Sequence, residues 1–301
     1  MKWLELSIRT SPEFVEPLSE LFRRYGETDV VVQEEGDWDP DNAPGDVGPP
    51  TSVTVITYLP MDSTTPTRRE MIDVGVRLVS LLQPMGPLQE RVLEDKEWET
   101  AWKAHFTLLK IGKKLVVKPT WQDHETVPGE IIVELDPGMA FGTGHHPTTR
   151  MCLEQLEEHI TTGVRVLDLG TGSGILSIAA AKLGAEGVTA VDVDPVALKA
   201  ARTNFQRNGV DAKVRTVQGS LPHPQVPAAG FGLAVSNITA KAIISNAHHL
   251  AEALVVDGVL VVSGILREHQ DKVEEALVKD FYVVDRLYDG DWVTLVTKRL
   301  N

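Results

Sequence analysis

"VLDLGTGSGILSIAAAKLG", residues 166–184, decides how this chain is read. A short apolar run carries Asp168 near its end, glycines follow at 170, 172 and 174, and a helical pattern begins at once. Glycine accepts backbone angles closed to other residues and lets the main chain come close to a ligand, so a strand, glycine turn and helix in this order hold a nucleotide-like group. The dinucleotide fingerprint G-x-G-x-x-G is absent. Counted from Gly170 its third glycine falls on Ile175, and counted from Gly172 on Ser177, which disfavours pyrophosphate. Asp192 ends the next strand, 22 residues after Gly170, where a doubly wound sheet sets a carboxylate against ribose hydroxyls. Asp194 and Pro195 read as the N-cap and first-turn proline of the following helix, which leaves Asp192 as the ribose ligand.

Working outward, "VRVLDLG", "GVTAVDVD", "AKVRTVQG", "FGLAVSNI" and "GVLVVSGI" are short apolar strands alternating with helical patterns, the sign of a parallel sheet covered on both faces. "FYVVDRLYDGDWVTLVTKR" leaves no room for a crossover helix and predicts a closing antiparallel hairpin. Two strands, "KLVVKP" and "EIIVEL", precede the loop "MAFGTGHHPTTR" at 139–150. Before them the order is β-α-β-β-α-β. A strand in "MKWLELSIRT" leads to a helix capped by Ser11 with Pro12 and ended by Gly26; "TDVVVQEEG" and "TSVTVITYL" flank the turn-rich loop "DWDPDNAPGDVGPP". A second helix spans about 66–83 with Met71, Val74, Leu78 and Leu82 repeating on one face, and a strand near Leu88–Leu93 completes a ferredoxin-like order. "EDKEWETAWKAHF" reads as a joining helix. The expected division is a small α+β domain at 1–90, a linker helix region at 91–114 and an α/β domain at 115–301.

Acidic residues number 43 against 29 basic ones, for a net charge of −14. That is the wrong sign for gripping nucleic-acid phosphates and suits a cationic protein partner. Cys152 is the only cysteine, so no intrachain disulfide or CxxC pair exists and a reducing compartment is expected. The N-terminus lacks a signal peptide's apolar core, and no stretch reaches the ~18 apolar residues of a membrane helix. A cytoplasmic protein without membrane attachment is the expectation.

"LEDKEWETAWKAHF", "DPGMAFGTGHHPTTRMCL", "DLGTGSGILSIAAAKLGA", "VDVDPVALKAARTNFQRNGV" and "SNI" resemble, in order from about residue 91 to 265, segments of the ribosomal protein L11 methyltransferases. These are S-adenosylmethionine-dependent enzymes with a seven-stranded, Rossmann-like class I methyltransferase domain after a ferredoxin-like one. The resemblance implies cofactor contacts from Thr149, Asp168, Gly170, Gly172, Gly174, Asp192 and Asn237, with Phe141, Gly142, Gly144, His146 and Thr148 shaping the loop over it. Thr148 or Thr149 also reads as the N-cap of the next helix. His145 stands where the family has threonine. Because His145 and His146 are neighbours that point apart in an extended loop, with no further ligand cluster, no metal site is expected. Asn237 is the implied catalytic residue: amine-methylating relatives carry Asn-Pro-Pro-Tyr here, whose Asn oxygen and a backbone carbonyl hold the amine, and "SNIT" matches the shorter Asn-Ile-Leu with Thr239 in place of leucine. A bare strand-to-helix cap by Asn237 is the competing reading. Gly219 and Ser220 stand where many such enzymes place an acidic residue near adenine. The implied reaction is methylation of lysine and N-terminal α-amines of ribosomal protein L11, recognised by the first domain. The rivals are methylation of a small molecule or of another protein amine or amide, and a nucleoside-binding module without catalysis. Intact glycines and Asp192 speak against the last.

Overall fold

Alternation in Lys2–Thr10 (β1) sends Leu4, Leu6 and Ile8 to one side and Trp3, Glu5 and Ser7 to the other, so both faces of this strand need a cover. The computed structural model describes residues 1–26, 30–35, 52–104, 107–136, 144 and 146–301. It divides at 106/107 into two units, Met1–Phe106 and Thr107–Asn301. In the first unit β1 is followed by α1 (Val15–Tyr25), β2 (Val31–Glu35), β3 (Ser52–Pro60), α2 (Thr65–Ser80), β4 (Gln89–Glu94) and α3 (Asp95–Ala104). The sheet order is β2-β3-β1-β4, all antiparallel. The element order is the one the sequence predicts. The turn-rich stretch at 37–50 lies outside the described residues.

Leu4, Leu6 and Ile8 meet Leu18 and Phe22 of α1 and Ile72 and Val76 of α2. Two local readings change here. Ser11 and Pro12 open a single 3-10 turn, Pro12–Phe14, rather than α1 itself. The face expected of α2 is also the wrong one: Met71, Val74, Leu78 and Leu82 are 42%, 47%, 60% and 79% exposed, whereas Ile72 and Val76 are buried. The reason lies in α1. Gly75 sits against Leu21, where an added Cβ would lie 2.4 Å from Leu21 Cδ1, and Arg68 donates to the Tyr25 and Gly26 carbonyls at 2.8 and 2.9 Å. These contacts set which side of α2 turns inward, and spacing alone could not choose between two apolar stripes.

The second face of β1 is covered by α3, which the sequence reading makes a linker. Trp98 stacks on Trp3 with centroids 4.0 Å apart, Tyr58 meets Trp98 edge-on at 6.4 Å, and Trp3 Nε1 donates to Asp95 Oδ1 at 2.9 Å. Burial above all, then Glu5 beside it, raises the pKa of the Tyr58 hydroxyl. The stretch read as a linker is thereby shared, with β4 and α3 in the first unit.

The second unit begins with a three-stranded sheet of β5 (Leu109–Ile111), β6 (Leu115–Lys118) and β7 (Ile131–Glu134). The sequence reading misses β5, which is only three residues long. After α4 (Pro147–His159) come β8 (Arg165–Leu169), α5 (Ile175–Leu183), β9 (Gly187–Asp192), α6 (Pro195–Arg207), β10 (Val214–Gln218), β11 (Phe231–Asn237), α7 (Ala240–Ala253), β12 (Leu254–Leu266), α8 (Gln270–Leu277), β13 (Phe281–Asp289) and β14 (Trp292–Arg299). They build a seven-stranded sheet ordered β10-β9-β8-β11-β12-β14-β13, parallel except for β14, which runs against both its neighbours in the closing hairpin. This is the predicted class I methyltransferase architecture. Both faces are buried: Val166, Val188 and Val235 enter one core and Leu167, Val191 and Ala234 the other. The order reverses at β8, with β9 on one side and β11 on the other, so loops leaving β8 and β11 diverge and leave a crevice at the strands' carboxyl ends.

Trp3 is 8% exposed, and Trp3→Ala should destabilise the first unit by about 3–5 kcal/mol in urea unfolding. A fragment ending at residue 106 should unfold cooperatively and one ending at residue 90 should not. Equal transitions for the two would return the boundary to 90.

Candidate functional site

The turn after β8 is built around a carboxylate removed from water. Asp168 is fully buried; its Oδ2 accepts from Thr171 Oγ1 at 2.7 Å and from Ser177 Oγ at 2.6 Å. Its Oδ1 is buried with no hydrogen-bond partner among the described residues. Burial, aided by the charge of nearby Asp192, raises the pKa to about 6 against the pull of the two hydroxyls. A buried oxygen without a donor is costly, and a positively charged N–H would relieve both the missing bond and the charge. Thr171 and Ser177 were not singled out from sequence. Their signal was present: hydroxyl residues inside a glycine turn and the first turn of its helix.

Gly170, Gly172 and Gly174 have φ of 82°, 54° and 86°, left-handed values that favour glycine. Space excludes a side chain as well, since a Cβ would lie 2.2 Å from Ile238 Cγ2 at Gly170 and 2.5 Å from Phe205 at Gly174. The Gly170 and Thr171 amides donate to the Val191 carbonyl at 2.8 and 3.0 Å, tying the turn to the end of β9. There Asp192 accepts from the Gly172 amide on Oδ2 at 2.9 Å and from the Asp194 amide on Oδ1 at 3.0 Å. Each oxygen keeps a lone pair for a further donor. Asp194 caps α6 through the Val196 amide at 2.8 Å with Pro195 at the first helical position, as predicted, so capping does not account for Asp192.

The cap of α4 is His146, not Thr148 or Thr149. Pro147 takes the first helical position, and His146 Nδ1 accepts from the Thr148 amide at 3.4 Å and lies 2.7 Å from the Thr148 hydroxyl. Both threonines lie in the first turn and are buried. The edge contact of His146 with Trp292, centroids 4.8 Å apart, and the 2.9 Å bond from Arg150 to Asp289 attach this helix end to the β13–β14 hairpin. Thr149 Oγ1 in turn accepts from Asn237 Nδ2 at 3.2 Å. Asn237 does not cap α7; Thr239 does, accepting from the Ala242 amide at 3.4 Å.

The structure therefore brings Thr149, Asp168, the three glycines, Asp192 and Asn237 to one end of the large sheet. Gly144 has φ of 90° and packs on Ile175 and Val117. Phe141, Gly142 and His145 lie outside the described residues. Ser220 gives its hydroxyl to Asn246 of α7 at 3.1 Å. Among the described residues no three His, Cys, Asp or Glu side chains converge on a metal-sized point.

A model of the family described as ribosomal protein L11 methyltransferase (PrmA) matches residues 2–300. The chain is 39% identical to the ribosomal protein L11 methyltransferase of Chloroflexus aurantiacus, over 99% of this chain and 98% of that one. It is 39% identical to that of Pelotomaculum thermopropionicum, over 99% of both. Among solved structures, the ribosomal protein L11 methylase of Lactobacillus delbrueckii subsp. bulgaricus superposes with a TM-score of 0.61 at 33% identity, covering 65% of this chain and all of that one.

The raised pKa of Asp168 has a thermodynamic consequence. Its protonated form is favoured in the folded state, so between about pH 4 and pH 6 the folded chain binds more protons than the unfolded one. The resulting stability is present below about pH 4 and is lost as pH rises through about 6, up to roughly 3 kcal/mol. Calorimetry of the ligand-free protein should show Asp168→Asn gaining stability over wild type across that window. A difference independent of pH would refute the shift.

Proposed function

The chain belongs to the ribosomal protein L11 methyltransferase family, and on that premise we propose that it transfers methyl groups from S-adenosylmethionine to lysine side-chain and N-terminal α-amines of ribosomal protein L11. The observation that carries the reading is the pair of carboxylates at the switch point, one with a buried oxygen that has no donor among the described residues. S-adenosylmethionine bears both an ammonium and a ribose. Asp168 Oδ1 suits the ammonium, which would also keep the carboxylate ionised, and the free lone pairs of Asp192 suit the ribose hydroxyls. Gly170, Gly172 and Gly174 remove the side chains that would stand in the way, and Gly144, His146 and Thr148 shape the entry to α4. Thr149 faces the same ligand while holding Asn237.

When bound, S-adenosylmethionine supplies a methyl carbon on a positively charged sulfur, and the C–S electron pair stays with that sulfur as the N–C bond forms. The protein's task is alignment, which can supply most of the rate. Asn237, with its nitrogen donating to Thr149, turns its oxygen to an N–H of the incoming amine, and the Ile238 carbonyl offers a second acceptor. Neither is a base. The amine arrives neutral, its pKa brought down from ~10.4 for lysine by burial, and the methylammonium that forms on transfer gives up one proton to water.

No helix among the described residues is long and apolar enough to cross a membrane. The net charge of −14 suits a basic ribosomal protein as partner better than nucleic acid, and the reaction belongs in the cytoplasm with its substrate. We assign recognition of that protein to the first unit, which carries none of the cofactor residues.

Asp192→Ala should weaken S-adenosylmethionine binding by about 1.5–3 kcal/mol in isothermal titration. An unchanged affinity in a folded variant would take Asp192 out of the site. The reaction itself is tested by mass spectrometry of purified ribosomal protein L11 incubated with the enzyme and methyl-labelled S-adenosylmethionine. Label should appear on amines, and a chain lacking residues 1–106 should bind the cofactor yet leave the protein unlabelled. No label with the full chain would defeat the substrate assignment, and full labelling by the shortened chain would defeat the division of labour.

A further inference from the structure

We propose that a β-bulge at Ser263–Gly264 of β12 is the device that positions the methyl-accepting amine, and that Gly264 is a positioning residue for the reaction; this rests on the reading of Asn237 as the acceptor residue. Against β14, Val262 pairs with Leu295 and Ile265 with Val293, so β12 carries one residue more than its partner across this interval. The extra residue leaves Gly264 at φ of 82°, the left-handed conformation of a glycine bulge. On its other side β12 is paired with β11 up to Asn237 and Ser263. The irregularity thus falls where β12 passes the acceptor segment.

A Cβ on Gly264 would lie 2.3 Å from the Ile238 carbonyl oxygen and 3.2 Å from Asn237 Oδ1. The same point is near both, so the two oxygens proposed to receive the amine converge beside the bare Cα of Gly264. A neutral primary amine has two N–H bonds and one lone pair. Two convergent oxygens can take both hydrogens and leave the lone pair a single direction. The bulge is fixed from two neighbours: the Ser263 carbonyl accepts the Ile238 amide at 3.2 Å, and the Ser263 and Thr294 hydroxyls, both buried, lie 2.6 Å apart. From the opposite side the Ile238 side chain fills the space beside Gly170. Ile238 is therefore clamped between two left-handed glycines, one from the cofactor turn and one from the bulge. A side chain at position 264 displaces the acceptor oxygens without touching Asp168 or Asp192.

The test compares Gly264→Ala with Gly163→Ala, a control with φ of 87° and nothing within 4 Å of the added Cβ, so that it carries the backbone strain without the contact. Both are assayed with S-adenosylmethionine by isothermal titration and with ribosomal protein L11 in steady state. Gly264→Ala should lower kcat by about 10- to 100-fold while the cofactor Kd and the KM for the protein stay within about threefold, and Gly163→Ala should change none of these. Should Gly264→Ala not fold, Thr294→Val, which removes only the hydroxyl pairing with Ser263, should lower kcat about three- to tenfold with cofactor Kd unchanged. Wild-type kcat in either folded variant, equal losses in Gly264→Ala and Gly163→Ala, or a loss of cofactor binding in proportion to kcat would each overturn the assignment. Failure of the wild-type protein to methylate any amine would instead overturn the reading on which it rests.

Discussion

A carboxylate without water needs donors for each of its oxygens, and among the described residues Asp168 has them for only one. Much else in the second unit follows from that demand. Two hydroxyls must reach Oδ2, which fixes Thr171 in the turn and Ser177 in the first turn of α5. The turn must be tight enough to bring them there, which requires left-handed backbone at positions 170, 172 and 174. The amides freed by the turn find the Val191 carbonyl and the Asp192 carboxylate, so the end of β9 is drawn to the end of β8. Two negative groups then sit close together, and the charge of Asp192 adds to the cost of ionising Asp168. On the function proposed above, the ammonium of the cofactor would relieve that cost at this place, and the unpaired oxygen would become a source of affinity for it.

The rest of the site is assembled by contacts between distant segments. Thr149 and Asn237 are 88 residues apart and share one hydrogen bond. Ile238 belongs to the segment after β11 but fits only because glycines from the turn after β8 and from β12 leave room on either side. His146 caps α4 while its ring leans on Trp292 of the closing hairpin. Every one of these residues stands at the carboxyl end of the sheet or beside it, where the reversal of strand order opens a crevice. The fold supplies the place, and the short-range clamps supply the angles.

In the first unit the governing constraint is a sheet with two apolar faces. Helices α1 and α2 cover one, and α3 with Trp98 covers the other. A helix that looks from sequence like a connector is held by an aromatic stack, because Trp3 and Tyr58 would otherwise be left in water.

The sequence by itself determined whatever depends on a few neighbouring residues. The strand, glycine turn and helix at 166–184, the placing of Asp192 at the next strand's end, the cap by Asp194 before Pro195 and the closing hairpin all follow from backbone sterics and hydrophobic period, and these act within about ten residues. The order of elements in the first unit was legible for the same reason. What only the tertiary structure decided were choices between local options of equal merit. Two apolar stripes on α2 were available, and the approach of Gly75 to Leu21 selected one. The sequence offered Thr148 or Thr149 as the cap of α4, but Pro147 takes the first helical position and the cap falls to His146. The bare oxygen of Asp168, the bond between Thr149 and Asn237 and the bulge at Gly264 have no local signature at all, since each exists only when surfaces far apart in the chain are pressed together and a side chain, or the lack of one, settles what fits.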